Sequence, residues 1–167
     1  MANKKLTPFE EELLKATKKV KEYKLACEAN IVSIFYKKSD LLFESTIGLN
    51  DLSENTWRVY WQIAYDIVIV ENKSTLDDIT IGLYLEKHDK LKDKYYEYGG
   101  YDTIEKAKQY VNIDNLDGYI KELNKWNTVL KMLKNKFPVY DRISEFADMT
   151  LDEIYNQSYI CKCRNGY

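Results

Sequence analysis

The stretch LDGYIKELNKWNTVLKMLKNKF, residues 116–137, decides the fold class because its apolar side chains recur at helical spacing. Leucine or phenylalanine recurs every seven residues, and further apolar residues follow at a spacing of three; together these residues, the apolar ridge, are Leu116, Tyr119, Leu123, Trp126, Leu130, Leu133 and Phe137. This is the a/d pattern of packed helices, and Ile120 widens the stripe. An isolated helix cannot bury such a stripe, so we expect the returning chain and a second copy of the molecule to cover it.

The chain after the ridge is predicted to return as a second helical arm. Pro138 ends the first helix, because the residue before a proline is disfavoured in the α conformation. Apolar residues then recur at Ile143, Phe146, Ala147, Leu151 and Ile154. Thr150 resembles a new N-cap, so we expect a break near Asp148. The interface of the resulting helical hairpin is predicted to comprise Leu116, Tyr119, Leu123, Trp126, Leu130, Leu133, Phe137, Ile143, Phe146 and Ile154.

Charged residues separate between the two arms of the predicted hairpin. The outgoing arm carries Lys121, Lys125, Lys131, Lys134 and Lys136, and the return arm carries Asp141, Glu145, Asp148, Asp152 and Glu153. These groups could pair across the arms or simply face solvent, where an ion pair contributes less than about 1 kcal/mol. The lysines also raise the alternative of a small helical nucleic-acid-binding module. The aromatic residues fall on the ridge rather than on the lysine face, which argues against that alternative.

Helix-start signals along the chain predict an all-α fold. A small polar residue followed three positions later by an acidic one indicates a capping box. This spacing occurs at Thr7 with Glu10, Asp51 with Glu54, Thr75 with Asp78, Asp102 with Glu105 and Thr150 with Glu153. Helical periodicity from Trp57 to Val68 assigns the run IVIV, residues 67–70, to a helix rather than to a strand. Residues 25–36 and 76–87 are predicted as further short helices, and residues 89–100 as a polar, tyrosine-rich connector.

The amino-acid composition excludes several classes of protein. The chain has 167 residues, of which 45% are hydrophobic and 31% charged, which is typical of one globular domain. Its formal net charge of −2 provides no overall basic field for nucleic acid. No apolar run could span a bilayer, the N-terminus lacks the apolar core of a signal peptide, and the three cysteines, Cys27, Cys161 and Cys163, are an odd number for a disulfide framework. We expect a cytoplasmic protein without membrane contact.

The sequence shows no pattern for catalysis or for a cofactor. The adjacent glycines, Gly99 and Gly100, lead into Tyr101 and Asp102 rather than into the lysine that a phosphate-binding loop requires. We interpret the pair as a structural joint between helices, where glycine tolerates positive φ. No nucleophile elbow, H-E-x-x-H motif or EF-hand loop occurs. With a single histidine, His88, the chain is expected to hold no metal or cofactor and not to be an enzyme.

Taken in order, several segments resemble the N-terminal domain of DnaB-type replicative DNA helicases. The first is LACEANIVSIFYKKSDLLFE (residues 25–44), carried by Glu28, Ile31, Val32, Ile34 and Phe35; the Trp-Tyr-Trp helix follows. The next segment is STLDDITIGLYLEKHDKL (74–91), where the residues that match the family pattern are Leu76, Asp78, Ile79, Thr80, Leu83, Leu85 and Glu86. It is followed by YGGYDTI (98–104), where they are Gly99, Gly100, Tyr101 and Ile104. The last segment is IDNLDGYIKELNKWNTVLKML (113–133). The resemblance spans about residues 25–160. An amino-acid composition rich in Lys, Ile, Tyr and Asn favours a bacteriophage member of the family. Thr75 stands where the family usually has proline, and residues 1–24 extend beyond the family's usual start.

The resemblance implies a non-catalytic collar in DNA replication that pairs through helical hairpins into a dimer or a trimer-of-dimers hexamer. It also implies docking of a primase or a helicase loader in the bacterial cytoplasm, with DNA contacted only weakly or through a motor domain that this chain lacks. The full-length protein would be an ATP-dependent helicase. The expected organisation is a helical extension (1–24), a compact multi-helix head (25–111), a projecting antiparallel hairpin arm (112–160) and a tail leading to a linker (161–167). The alternative is a stand-alone phage protein that binds a helicase as loader or inhibitor.

Overall fold

The computed structural model describes the backbone of residues 5–164 and the side chains of residues 5–157. Within that range the chain folds into helices and turns without a strand, so the all-α prediction is confirmed. The helices are α1 (Pro8–Lys37), α2 (Thr56–Tyr65), α3 (Asp78–Leu85), α4 (Asp89–Glu97), α5 (Gly100–Lys108), α6 (Leu116–Lys134), α7 (Ile143–Ala147) and α8 (Leu151–Arg164). Short 3-10 turns at Ser39–Glu44, Leu49–Asp51 and Ile113–Asn115 connect some of them.

The chain divides into two compact units. Unit 1 combines residues 1–24 with residues 124–167, and unit 2 comprises residues 25–123. Both boundaries fall inside helices, since α1 and α6 each supply residues to both units. This grouping differs from the expected extension, head and arm: residues 1–24 share a unit with the second half of α6 and with the chain that follows it.

Helix α1 begins at the predicted cap. The backbone N–H of Glu10 donates to Thr7 Oγ1 at 3.2 Å, and that of Thr7 donates to Glu10 Oε2 at 2.8 Å. The bond from the Thr7 backbone lowers the pKa of Glu10. The prediction of a separate short helix over 25–36 is wrong, because no glycine or proline interrupts the sequence after Pro8 and α1 continues to Lys37.

Two predicted caps before α2 and α3 are displaced in register. Asn55, not Asp51, caps α2, since its side chain accepts from the N–H of Trp57 at 3.1 Å. Asp51 instead accepts from the N–H of Gly48 at 2.8 Å. Asp77, rather than Thr75, caps α3, and the bond that it accepts from the Thr80 N–H lowers its pKa. Short polar side chains two or four residues apart compete for the same free N–H groups, and sequence spacing alone does not determine which of them caps the helix.

The segments on either side of α3 are helical. The run IVIV continues α2 as a π-helical turn, Asp66–Val70, so its assignment to a helix is confirmed. The prediction that residues 89–100 form a connector is wrong, because residues 89–97 form α4 and bury Tyr95 against Tyr60. The predicted cap at Asp102 is also wrong, since this residue lies inside α5.

Each unit has its own buried apolar residues. Those of unit 2 include Ile31, Ile34, Phe35, Tyr60, Ile63, Ile67, Ile81, Leu85, Tyr95 and Ile104. Those of unit 1 include Ala16, Val20, Trp126, Val129, Leu133, Ile143, Phe146 and Ile154. The N-terminal half of α1 and the C-terminal half of α6 therefore supply the core of unit 1 together with α7 and α8.

Candidate interaction surfaces

The second half of the apolar ridge is buried inside unit 1. Trp126 is 2% exposed and stacks on Tyr23 of α1, with ring centroids 4.7 Å apart and ring planes at 14°. Leu133 is also buried. The prediction that Trp126 and Leu133 are presented to a second copy is therefore wrong. Its physical reason is that the segment expected to be an extension shares unit 1 with both residues, and its Tyr23 stacks on Trp126.

The ten predicted interface residues differ in exposure. Buried are Leu123, Trp126, Leu133, Ile143, Phe146 and Ile154; half-buried are Leu116, Tyr119 and Leu130; Phe137 is 38% exposed. A second copy can therefore touch the ridge only through its half-buried members and Phe137. Trp126, Leu133, Ile143, Phe146 and Ile154 belong to the core of unit 1, and Leu123 is buried in unit 2.

Lys125, one of the lysines on the predicted arm, is buried in unit 1. Its ammonium donates to the carbonyl oxygens of Ala147, at 3.2 Å, and Met149, at 3.0 Å, and lies 4.6 Å from the centroid of the Trp126 ring. Carbonyl groups at the end of a helix lack intrahelical partners, and a cation there is stabilising. Lys125 therefore holds the end of α7 and is not available to nucleic acid, which removes part of the support for a nucleic-acid-binding module.

The return arm breaks where the sequence predicts. α7 ends at Ala147, and Thr150 caps α8: the N–H of Glu153 donates to Thr150 Oγ1 at 3.3 Å, and the N–H of Thr150 donates to Glu153 Oε2 at 2.7 Å. The side chains of Cys161 and Cys163 lie outside the described residues. Cys27 is buried in α1.

Unit 1 leaves several large apolar side chains exposed. They are Leu6, Phe9, Leu14, Phe137 and Tyr155, and their exposure ranges from 38% to 60%. We call them the unit 1 apolar surface. Phe9 also makes an edge-on contact with Tyr140, with ring centroids 5.3 Å apart, so this side chain is held in place rather than free in solvent. Unit 2 also exposes large apolar side chains, among them Phe43, Ile79 and Leu83. Single exposed side chains of this kind are normal in soluble proteins, so exposure alone does not mark an interface.

The glycine pair forms the joint between α4 and α5. Gly99 and Gly100 have φ values of 99° and 60°, the left-handed conformation that glycine adopts without steric cost. The Tyr60 hydroxyl donates to the Gly100 carbonyl at 2.8 Å, and the Thr103 hydroxyl donates to the Tyr98 carbonyl at 2.7 Å. A Cβ on Gly99 would stand 2.5 Å from Thr103 Oγ1, so a side chain does not fit.

Glu28 is a buried carboxylate that orders the entry to α2. It accepts hydrogen bonds from the N–H of Ser53 at 2.5 Å and from the side-chain amide of Asn55 at 3.3 Å. Asn55 in turn caps α2 by accepting from the N–H of Trp57, so the hydrogen bond to Glu28 orients the capping side chain. Sequence analysis missed this role. Its signal was an acidic residue within an otherwise apolar helical segment.

A cleft of about 510 Å³ lies between α2 and α4 in unit 2. Its lining residues, which define the basic cleft, are Leu49, Glu54, Asn55, Arg58, Val59, Gln62, Lys90, Leu91, Lys94 and Tyr98. Three of them are cations and one is a carboxylate. The sequence gives no direct signal for this cleft, because Arg58 and the two lysines lie on helices that are separated by α3.

A second groove of unit 2, of about 400 Å³, has the opposite charge. Its lining residues, which define the acidic groove, are Leu41, Glu44, Ser45, Thr46, Ile113, Asp114, Leu116, Asp117 and Ile120. Leu116 and Ile120 come from the first turns of the apolar ridge and are half-buried here. The basic cleft and the acidic groove therefore have opposite charge.

Neither a metal cluster nor a membrane span is found in the part of the chain that the structure describes. No group of three or more His, Cys, Asp or Glu residues there could hold a metal ion. No described helix is both long and apolar enough to cross a bilayer. Comparisons with protein-family models, with curated proteins and with solved structures produced no match to this chain.

Proposed function

We propose that the chain is the non-catalytic oligomerisation and partner-docking domain of a DnaB-type hexameric replicative helicase, acting as a collar in DNA replication. The helicase class rests on the sequence resemblance over residues 25–160. Two residues that carry this resemblance have framework roles in unit 2. Glu28 orders the entry to α2, and Gly99 forms the joint before α5.

The unit 1 apolar surface is the observation that carries the oligomerisation role. Phe9, Leu14 and Phe137 are exposed apolar side chains of one unit that a second copy would bury. We propose a dimer, or a trimer of dimers, that uses this surface in place of the buried Trp126. The partners would be a primase or a helicase loader in the bacterial cytoplasm, with DNA engaged through a motor domain.

The gene itself tests the helicase class. We expect the reading frame to continue beyond codon 167 into a strand followed by a G-x-x-x-x-G-K-[ST] loop. A stop codon there would instead favour a stand-alone phage protein that binds a helicase as loader or inhibitor.

Docking is tested by mixing the chain with the primase of the same replication system and following co-elution on size exclusion. Co-elution that Arg58→Glu or Asp117→Lys abolishes would identify the concavity involved. Independent elution of the two proteins at micromolar concentration would count against the docking role.

A further inference from the structure

We propose that the basic cleft of unit 2 binds an acidic amphipathic helix of a partner protein. The inference rests on the docking part of the proposed function and specifies the chemistry of the partner. The shape of the cleft, the polar groups left available in it and its charge support this assignment.

The shape of the cleft suits a helical ligand. It runs between two helices of the same unit, with Arg58 on the α2 side and Lys90 and Lys94 on the α4 side. Leu49, Val59 and Leu91 are the aliphatic residues of its lining. A concavity lined by both apolar and cationic side chains suits an acidic amphipathic helix, whose apolar face packs on the apolar residues while its carboxylates pair with the cations.

Both side-chain amides that line the cleft already make hydrogen bonds within the chain. Asn55 accepts from the N–H of Trp57 and donates to Glu28, and the Gln62 amide donates to Asp66 Oδ1 at 2.7 Å. An incoming ligand therefore meets chiefly the cationic groups. Arg58 lies 3.7 Å from Glu54, whose side chain is 91% exposed, so this long ion pair is weak and a carboxylate of the ligand can replace it.

The charge of the cleft selects an acidic partner. Three cations face one carboxylate there, although the whole chain has a formal net charge of −2. Lys90 and Lys94 lie one helical turn apart, about 6 Å, and so match two carboxylates one turn apart on a ligand helix. An apolar ligand residue between those carboxylates would lie over Leu91.

Nucleic acid fits this cleft less well than an acidic helix. The cleft presents Leu49, Val59 and Leu91 beside its cations, and these apolar side chains pack against the apolar face of a helix but offer no contact to a phosphate backbone. The carboxylates of the acidic groove repel an acidic helix, so the basic cleft is the preferred site of the two.

Fluorescence anisotropy with a labelled synthetic helix tests the proposal. The probe carries glutamates one turn apart and leucines along the opposite face; a version with lysine in place of glutamate and a single-stranded oligothymidylate serve as comparisons. We expect the acidic helix to bind the full chain in the micromolar range and to dissociate as salt is added. The double variant Lys90→Glu/Lys94→Glu should weaken this binding at least about tenfold and should now bind the lysine version.

A matched control separates a local effect from one of net charge. Lys106→Glu/Lys121→Glu makes the same charge change at exposed lysines outside the cleft and should alter the affinity by no more than about twofold. Circular dichroism confirms that both variants are folded. Equal weakening by both variants, absence of binding to the acidic helix, or preferential binding of the oligonucleotide would overturn the proposal.

Sedimentation of the same samples separates this inference from the oligomerisation role. A monomer that binds the acidic helix would leave the cleft assignment intact while contradicting oligomerisation. An oligomer that binds no acidic helix would contradict the cleft assignment alone.

Discussion

Replacing Trp126 with alanine should destabilise unit 1 rather than merely prevent association. The indole is 2% exposed and stacks on Tyr23. Burial of a tryptophan removes about 150–250 Å² from water, or about 4–6 kcal/mol at about 25 cal/mol per Å². Alanine retains a small part of that contribution, and the cavity is lined by side chains that collapse only in part. We therefore expect Trp126→Ala to lower the free energy of unfolding by about 3–5 kcal/mol.

Urea unfolding followed by circular dichroism measures this loss, and hydrogen exchange read by mass spectrometry locates it. Protection should fall in peptides covering residues 9–24 and 143–157 and should persist over residues 56–70, which belong to unit 2. Phe137→Ala is the matched control on the same ridge, and with a side chain 38% exposed it should cost much less stability. An unchanged urea midpoint for Trp126→Ala, with only its sedimentation altered, would refute the assignment of this residue to the core.

Three further perturbations follow from the contacts of unit 2. Glu28→Ala removes the acceptor of the Ser53 N–H and should cost about 2–4 kcal/mol in urea unfolding. Glu28→Gln retains an acceptor and should cost less, so equal losses would contradict the hydrogen-bonding role. Gly99→Ala places a side chain on left-handed backbone and against Thr103, so it should lower the free energy of unfolding by about 1–3 kcal/mol. Gly82→Ala is the control: it lies in a helix with open space around its Cβ and should be neutral or stabilising. A larger loss of stability for Gly82→Ala than for Gly99→Ala would contradict the described joint. Burial raises the pKa of Tyr36 and Tyr95, and burial together with a hydrogen bond to Asp66 raises that of Tyr84. Because the unfolded chain ionises these phenols near about pH 10, the stability they contribute is complete below that pH and is lost as the pH rises above it. Absorbance at 295 nm should show them ionising only as the helical signal at 222 nm disappears, and ionisation before unfolding would contradict their burial.

Local sequence signals predicted the helical class and several helix ends. The capping boxes at Thr7 and Thr150, the break after Ala147 and the left-handed glycine joint each depend on residues that are neighbours in the chain. The residues that determine each of these features lie within about one helical turn of each other in the sequence. The sequence pattern therefore predicts them correctly.

Features that depend on distant residues escaped prediction. The pattern of α6 identified an apolar stripe but not its cover, because Tyr23 is about a hundred residues away in the sequence and its own helix reads as a charged surface segment. Likewise, Lys125 has the sequence context of an exposed lysine, and only the end of α7 explains its burial. The basic cleft is lined by residues from both α2 and α4, so no local sequence pattern predicts it.

Sedimentation equilibrium of the chain at micromolar concentration tests most directly whether the unit 1 apolar surface mediates self-association. We predict a dimer or larger species that Leu14→Glu dissociates, while Ile79→Glu, an equally charged change at an exposed position of unit 2, leaves the association unchanged. A strict monomer across the concentration range, or equal behaviour of the two variants, would contradict the account.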